Sequence, residues 1–352
     1  MEQPSAELRQ VRDLVMQHGW NATAYQIINP GIVHWLARGG DAVVGYVEFH
    51  RTRVVAGAPV CAEDRLSQVR AEFELETRVS GRRVCYFGAE SRLESHLRKS
   101  PDHSMVLLGA QPSFNPHDWP AMLRSHESLR MQLNRARNKS VAVVEYSPQR
   151  AANDSALRDC LREWLATRGL PPLHFLIEPQ TLTRLFDRRV FVAEQRGVPV
   201  GFLVASPVPQ RNGWLVEQFV RGRKAPNGTS ELMIDAAVRA FAEQGSEYVT
   251  LGLSPLSQHV SVQLDENPFW LRVLLAWMRA HGRRFYNFAG LDAFKTKFGP
   301  KQWEPVYAIC NQPRFSPSML YAIAGAFTEG KPIRTGLRAL GQAVAQEFGW
   351  NR

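Results

Sequence analysis

From residue 189 to residue 256 the apolar positions change period twice, and each change marks an element. "RVFVAEQ" and "VGFLVASPV" flank the turn-forming "RGVP", the pattern of a β-hairpin. "NGWLVEQFV" continues as a third strand, and "RGRKAPNGTS" interrupts as a polar loop. "SELMIDAAVRAFAEQG" spaces its apolar residues as a helix does and is followed by glycine. "YVTLGLSPL" is a short apolar run that reads as a buried strand. After it come a helix over "NPFWLRVLLAWMRAHG", a strand over "RRFYNFAG" and a closing strand over "VYAICNQ". A helix over "SALRDCLREWLATRG" precedes the whole series.

The chain also matches itself. "GRRVCYFGAESRL" at 81 answers "GRRFYNFAGLDAF" at 282, and "QPSFNP" at 111 answers "QPRFSP" at 312, both at an offset of 201 residues. Two matches at one offset predict a duplicated unit, with "DAVVGYVEFHRTRVVAGAPV" as the hairpin of the first copy. The element order of the second copy is that of the GNAT acyltransferase fold. The expected class is thus α/β, with two tandem GNAT-like units, each a mixed and mostly antiparallel sheet flanked by helices. Residues 1–150 are expected to form a supporting unit with a degenerate site, 151–315 the catalytic unit, and 316–352 an amphipathic helical tail.

Composition narrows the chemistry. A chain of 352 residues with 44% hydrophobic and 22% charged residues is that of a soluble globular protein. Four scattered cysteines without a CxxC pair indicate neither a zinc site nor a disulfide framework, and they suit a reducing cytosol. The polar start "MEQPSAELRQVRDLV" is no signal peptide, and no apolar run nears the roughly 20 residues of a membrane span. Net charge of +10, carried by 36 arginines and seven lysines, favours a polyanionic partner.

Three of the seven lysines, Lys295, Lys297 and Lys301, crowd into "FAGLDAFKTKFGPKQWEP". Lys295 and Lys297 sit at i and i+2, so a regular helix cannot present both on one face, and two different anions are implied unless the helix frays. The matching positions of the first copy are Glu94 and His96, which places the working site in the second. Both lysines are expected to face solvent and to hold phosphate. A second anion site is expected at the helix start after Arg221, Arg223, Lys224 and Asn227, where backbone N–H groups point outward. There Thr229 or Ser230 would cap the helix and Gly228 would let a phosphate approach. Arg130, Arg135, Arg137 and Lys139 on one helix suit a nucleic acid backbone. The "NPFWLRVLLAWMRAHGRR" helix, with Arg272, Arg279 and Arg283, reads as core or as a lipid-facing surface. Glu217, Glu231, His259 and Tyr286 are candidate proton carriers, with no ranking among them. No GxSxG, HExxH or P-loop motif is present, and no metal or cofactor is expected.

Four segments in order, "APNGTSELMIDAAVRA", "YVTLGLSPLS", "FYNFAGLDAFKTKF" and "WEPVYA", resemble the C-terminal catalytic domain of aminoacyl-phosphatidylglycerol synthases. The resemblance covers roughly residues 20 to 312 and is strongest after 214. It implies a tandem GNAT fold that moves an amino acid from aminoacyl-tRNA to a hydroxyl of phosphatidylglycerol. Apart from the resemblance, the basic, amphipathic tail and the Arg272/Arg279/Arg283 helix predict a cytoplasmic chain attached reversibly and peripherally to anionic phospholipid of the inner membrane face. Arg221 would contact substrate, and Lys295 and Lys297 match the basic pair of the family. The expected catalytic set is Arg221, Lys295, Lys297 and Glu217, with Arg223, Asn227, Gly228, Thr229, Tyr286, Arg135 and Arg137 binding substrate. The chain departs from the family pattern at Gln218, where many members carry an acid, and at Asp292, where members commonly carry arginine. Two other readings are an acyl-CoA-dependent acyltransferase, which lacks its usual Q/RxxGxG here, and a lipid- or RNA-binding module without catalysis.

Overall fold

A computed structural model of the chain describes residues 5–167, 173–260, 267–281 and 287–332. The first half contributes β1 (Val33–Leu36), β2 (Val43–Phe49), β3 (Thr52–Ala56), β4 (Arg83–Ala89) and β5 (Ser104–Phe114). Then follow β6 (Val141–Tyr146), β7 (Arg189–Gln195), β8 (Val198–Val208) and β9 (Gly213–Arg221). The last three are β10 (Tyr248–Thr250), β11 (Ser254–Pro255) and β12 (Gln302–Cys310). One sheet takes them all, in the order β1-β2-β3-β4-β12-β5-β10-β9-β8-β7-β6, with β11 paired to β5.

Two neighbouring pairs run parallel, β3 with β4 and β9 with β10. A parallel pair needs a connection that returns across the sheet. The helices Leu66–Val79 and Thr229–Glu243 supply it in the two halves. This repeated strand, helix and parallel strand, inside an otherwise antiparallel sheet, is the class read from the pattern of the sequence. Thr229–Glu243 is amphipathic in the required way: Leu232, Met233, Ala237, Val238 and Phe241 join Phe191, Leu203 and Val216 of the sheet in one buried cluster.

The closing strand crosses over. β12 lies between β4 and β5, pairing Cys310 with Cys85 on one side and Gln302 with Ser113 on the other. β5 pairs in turn with β10 through Phe114 and Val249. The two halves are therefore interlaced rather than set side by side.

Local details depart from the sequence pattern. "RRFYNFAG", expected as a strand, gives a helix from Phe288 to Thr296, started by Asn287, whose Oδ1 accepts from the Gly290 N–H at 2.9 Å. Residues 282–286 of that segment, which include Arg283 and Tyr286, lie outside the described residues. "YVTLGLSPL" is broken by a turn at Gly252, whose φ of 71° favours glycine. The offset of 201 does not align elements throughout: Gln111–Phe114 belongs to β5, whereas Gln312 follows the end of β12. The helix Pro317–Phe327 packs Met319, Ala322 and Ile323 into the core of the first half. The tail from 333 onward lies outside the described residues.

Candidate active site

β9 and β10 stay together only where Gly213–Leu215 pairs with Tyr248–Thr250. Beyond that point β9 keeps β8 as its partner, and a cavity of about 680 Å³ opens between the later part of β9 and the residues that follow β10. Leu215, Glu217, Gln218 and Phe219 of β9 line it, with Leu251, Gly252 and Leu253 beyond β10. Phe294 and Lys295 enter from the helix Phe288–Thr296. Trp164, Leu173, Leu176, Ile177 and Phe327 form an apolar wall. Thr23, Gln26, Gly88 and Glu90 bring the first half into the same space. The first half thus lines the cavity jointly with the second.

Lys295 is buried, at 3% exposure, which corrects the expectation of a solvent-facing lysine. Its Nζ donates to the carbonyl oxygens of Gly252 at 2.7 Å and Leu253 at 2.8 Å. The turn at Gly252 aims both carbonyls at the helix. Burial lowers the ammonium to about 7, with Asp292 pulling weakly the other way. Two of its three N–H donors are spent on backbone, and one position remains on a cavity-lining side chain.

Lys297 takes the opposite face. It is half-exposed, 3.7 Å from Glu231, and does not line the cavity. Lys301 is a surface lysine paired with Asp118 at 2.8 Å. The i, i+2 spacing therefore splits the two catalytic candidates between inside and outside. Arg221, exposed, donates to Asn227 Oδ1 at 3.3 Å in the loop before Thr229–Glu243. Arg223 and Lys224 are exposed in the same loop. Arg221, Arg223, Lys224 and Lys297 thus gather near one helix start, since Glu231 lies in its first turn.

Other expected site residues have structural contacts of their own. Packing alone demands glycine at 228: its φ is 92°, and a Cβ there would stand 2.1 Å from the Gln132 carbonyl oxygen. Neither Thr229 nor Ser230 caps the helix with its side chain. Thr229 is buried, and its hydroxyl donates to Pro226 O at 2.7 Å. Glu217 lines the cavity but is engaged by Arg188, Nε to Oε2 at 2.8 Å and Nη2 to Oε1 at 3.0 Å. Arg137 donates at 3.0 Å to the buried Asp235, which also accepts from Trp119 and Arg239. Arg135 is exposed on the helix Glu127–Arg137. His259 stacks on Trp303 at 3.9 Å between centroids, and it does not line the cavity. Tyr286, named above, is not described.

Arg188 carries no signal in the sequence, yet it is 3% exposed and donates to Asn29 and the Arg184 carbonyl as well as to the cavity-lining Glu217. A lone arginine before a strand carries no local mark of such a role. Gln218, at the position where many family members carry an acid, accepts from the Thr181 hydroxyl. Among the described residues no His, Cys, Asp or Glu group forms a metal site. Nor is any helix among them long and apolar enough to cross a membrane.

Comparison with known proteins agrees with this architecture. The chain is 23% identical over 270 residues to the phosphatidylglycerol lysyltransferase of Bacillus subtilis (strain 168), covering 76% of this chain and 31% of that protein. Over 251 residues it is 25% identical to the lysylphosphatidylglycerol biosynthesis bifunctional protein LysX of Mycolicibacterium gilvum (strain PYR-GCK), covering 69% and 22%. It therefore spans less than a third of either relative. The solved structure of L-PGS from Bacillus licheniformis shares the fold, with a TM-score of 0.75 at 20% identity over 96% of this chain and 98% of that one. The family model described as phosphatidylglycerol lysyltransferase, C-terminal, matches residues 11–310. The chain belongs to that family.

Proposed function

We propose that the chain transfers an aminoacyl group from aminoacyl-tRNA to a hydroxyl of phosphatidylglycerol. The observation that carries the proposal is the cavity itself, which puts Lys295 and an apolar wall together inside a chain whose family match covers residues 11–310. The aminoacyl ester is already activated, so the work is to align a hydroxyl with it and to stabilise the tetrahedral oxyanion. The acceptor oxygen attacks the ester carbonyl carbon, the bond to the tRNA ribose breaks, and the acceptor proton ends on the ribose oxygen. Lys295, with one N–H unspent, is the donor that could face the oxyanion or a substrate phosphate. Arg221, Arg223, Lys224 and Lys297 at the outer helix start, with Arg135, suit the acceptor stem through its phosphates.

The lipid side has its own support. On the helix Phe269–His281, Phe269, Val273 and Trp277 are 74%, 54% and 58% exposed, and the helix carries no carboxylate. Such a face favours reversible attachment to an anionic surface. The purified chain, given charged tRNAs and phosphatidylglycerol vesicles, should form aminoacylated lipid. No product with any amino acid would sink the proposal.

A further inference from the structure

On the cavity wall supplied by the first half, Glu90 shares one cation, Arg211, with a second carboxylate, Glu304. Glu90 follows β4 and is 2% exposed. Its Oε1 accepts from the Ala22 N–H at 2.7 Å, and Arg211 Nη1 stands 3.3 Å from Oε2. Arg211 is committed to Glu304, with both Nη atoms donating, Nη1 at 2.9 Å. Gln111, Ser113 and Tyr248 complete the cage around Glu304. The charged groups facing Glu90 are thus one cation, Arg211, and one further carboxylate, Glu304. One negative charge is left over in a desolvated place, which is costly. Burial pushes Glu90 up to about 7, Arg211 opposes the rise and Glu304 adds to it.

Two side-chain oxygens on the same wall lack partners, although Gln26 Nε2 donates to Ser206 Oγ at 3.1 Å. Thr23 Oγ1 and Gln26 Oε1 are buried without a hydrogen bond, and Gln26 is 1% exposed. Buried polar atoms are nearly always paired, so two orphans beside one spare charge call for a ligand. Thr23, Gln26 and Glu90 all line the cavity. Of the other carboxylates there, Glu217 is paired with Arg188, and Glu178, which accepts from the Gln180 N–H, stands in the second half.

We infer that Thr23, Gln26 and Glu90 form a subsite for a primary ammonium, the α-amine of the amino acid being transferred. Naming that amine as the occupant rests on the function proposed above. An ammonium brings one positive charge and three N–H donors, which complement one spare carboxylate charge and two unpaired oxygens. A neutral hydroxyl would leave the charge unmatched.

Calorimetry on the full chain with alaninamide and with lactamide, its uncharged counterpart, tests the subsite without any turnover. Alaninamide should bind at least tenfold more tightly than lactamide, and Glu90→Gln should erase the difference. Thr23→Val, which removes an unpaired hydroxyl, should weaken alaninamide severalfold and leave the melting temperature unchanged. Near pH 7 the wild type should release protons on binding, read as heat that varies with the buffer, and Glu90→Gln should not. The inference is overturned if alaninamide fails to bind, binds no better than lactamide, or binds Glu90→Gln like wild type. Should Glu90→Gln not fold, unchanged affinity in Thr23→Val overturns it. A chain that makes aminoacylated lipid yet binds alaninamide without Glu90 keeps its proposed function and loses this subsite.

Discussion

Replacing Lys295 by Met keeps the apolar stem and removes the ammonium, so the change in stability isolates the charge. In the wild type Nζ donates to two carbonyls at 2.7 and 2.8 Å, and charge-assisted bonds of this kind contribute about 1.5–3 kcal/mol each. Burial works against them, since it lowers the ammonium from its ordinary 10.5 to about 7. That lowering corresponds to about 5 kcal/mol against the charged form. The opposing effects are of similar size, so at pH 6 Lys295→Met should lie within about 2 kcal/mol of wild type, in either direction. The pH dependence is the sharper quantity. Between about 7 and 10.5 the unfolded chain still holds a proton that the folded chain has released. Wild-type stability therefore rises through that window by about 1.4 kcal/mol per pH unit, and the contribution is flat below it. Met cannot titrate, so the advantage of wild type over the variant should grow by about 2–3 kcal/mol between pH 7 and pH 9. Urea denaturation at closely spaced pH values measures it. A difference that stays constant across that range would refute the argument, because Lys295 would then be titrating as a solvated lysine.

Gly228→Ala should cost about 2–4 kcal/mol, from a Cβ pressed on the Gln132 carbonyl at a φ of 92°. An unchanged melting temperature would mean that the loop does not pack on Glu127–Arg137. Glu217→Gln leaves Arg188 buried without its counter-charge and should cost about 3–5 kcal/mol in thermal or urea denaturation; a neutral result would move the pair to the surface. Lys297→Ala should alter stability by less than about 0.5 kcal/mol while raising KM for aminoacyl-tRNA severalfold with kcat little changed. Lys301→Ala, which removes only the surface pair with Asp118, should leave both unchanged, and an equal KM in all three proteins would take the tRNA-binding role from Lys297.

The parts of the fold that are legible in the sequence are those whose instructions are local. β7, β8 and β9 alternate around short turns, and Thr229–Glu243 carries its apolar stripe in one unbroken run. The place of β12 is not of that kind, since Cys310 meets a residue 225 positions earlier. Spacing says that Lys295 and Lys297 part company, but not how deep each goes. The depth of Lys295 is set by carbonyls 42 and 43 residues away, at a turn that only Gly252 hints at. "NG" before a helix reads equally well as an anion loop or as tight packing, and Gln132 decides the matter from another helix. Glu90 looks like a residue that begins the helix Ser91–Leu97. Nothing near it announces Arg211, which arrives 121 positions later.

The interlacing of β12 also governs the order in which the protein can be finished. β4 and β5 are held apart by a strand that comes 188 residues after β5 ends, so until β12 arrives the first half contains a slot roughly 10 Å wide. Both walls of that slot are bare strand edges, which pair readily with other chains. A ribosome that has delivered β1 to β11 has thus made every strand but one and still lacks the strand that joins the two parts of the sheet. Loop closure over such a distance is slow, and the unfinished state is the one that a chaperone must shield. The cavity inherits the same dependence, because Val306 of β12 is part of its lining. Its enclosure waits on β12 and on the helix Pro317–Phe327 that follows, whose Phe327 also lines it, and a chain cut before β12 should lose binding and solubility together.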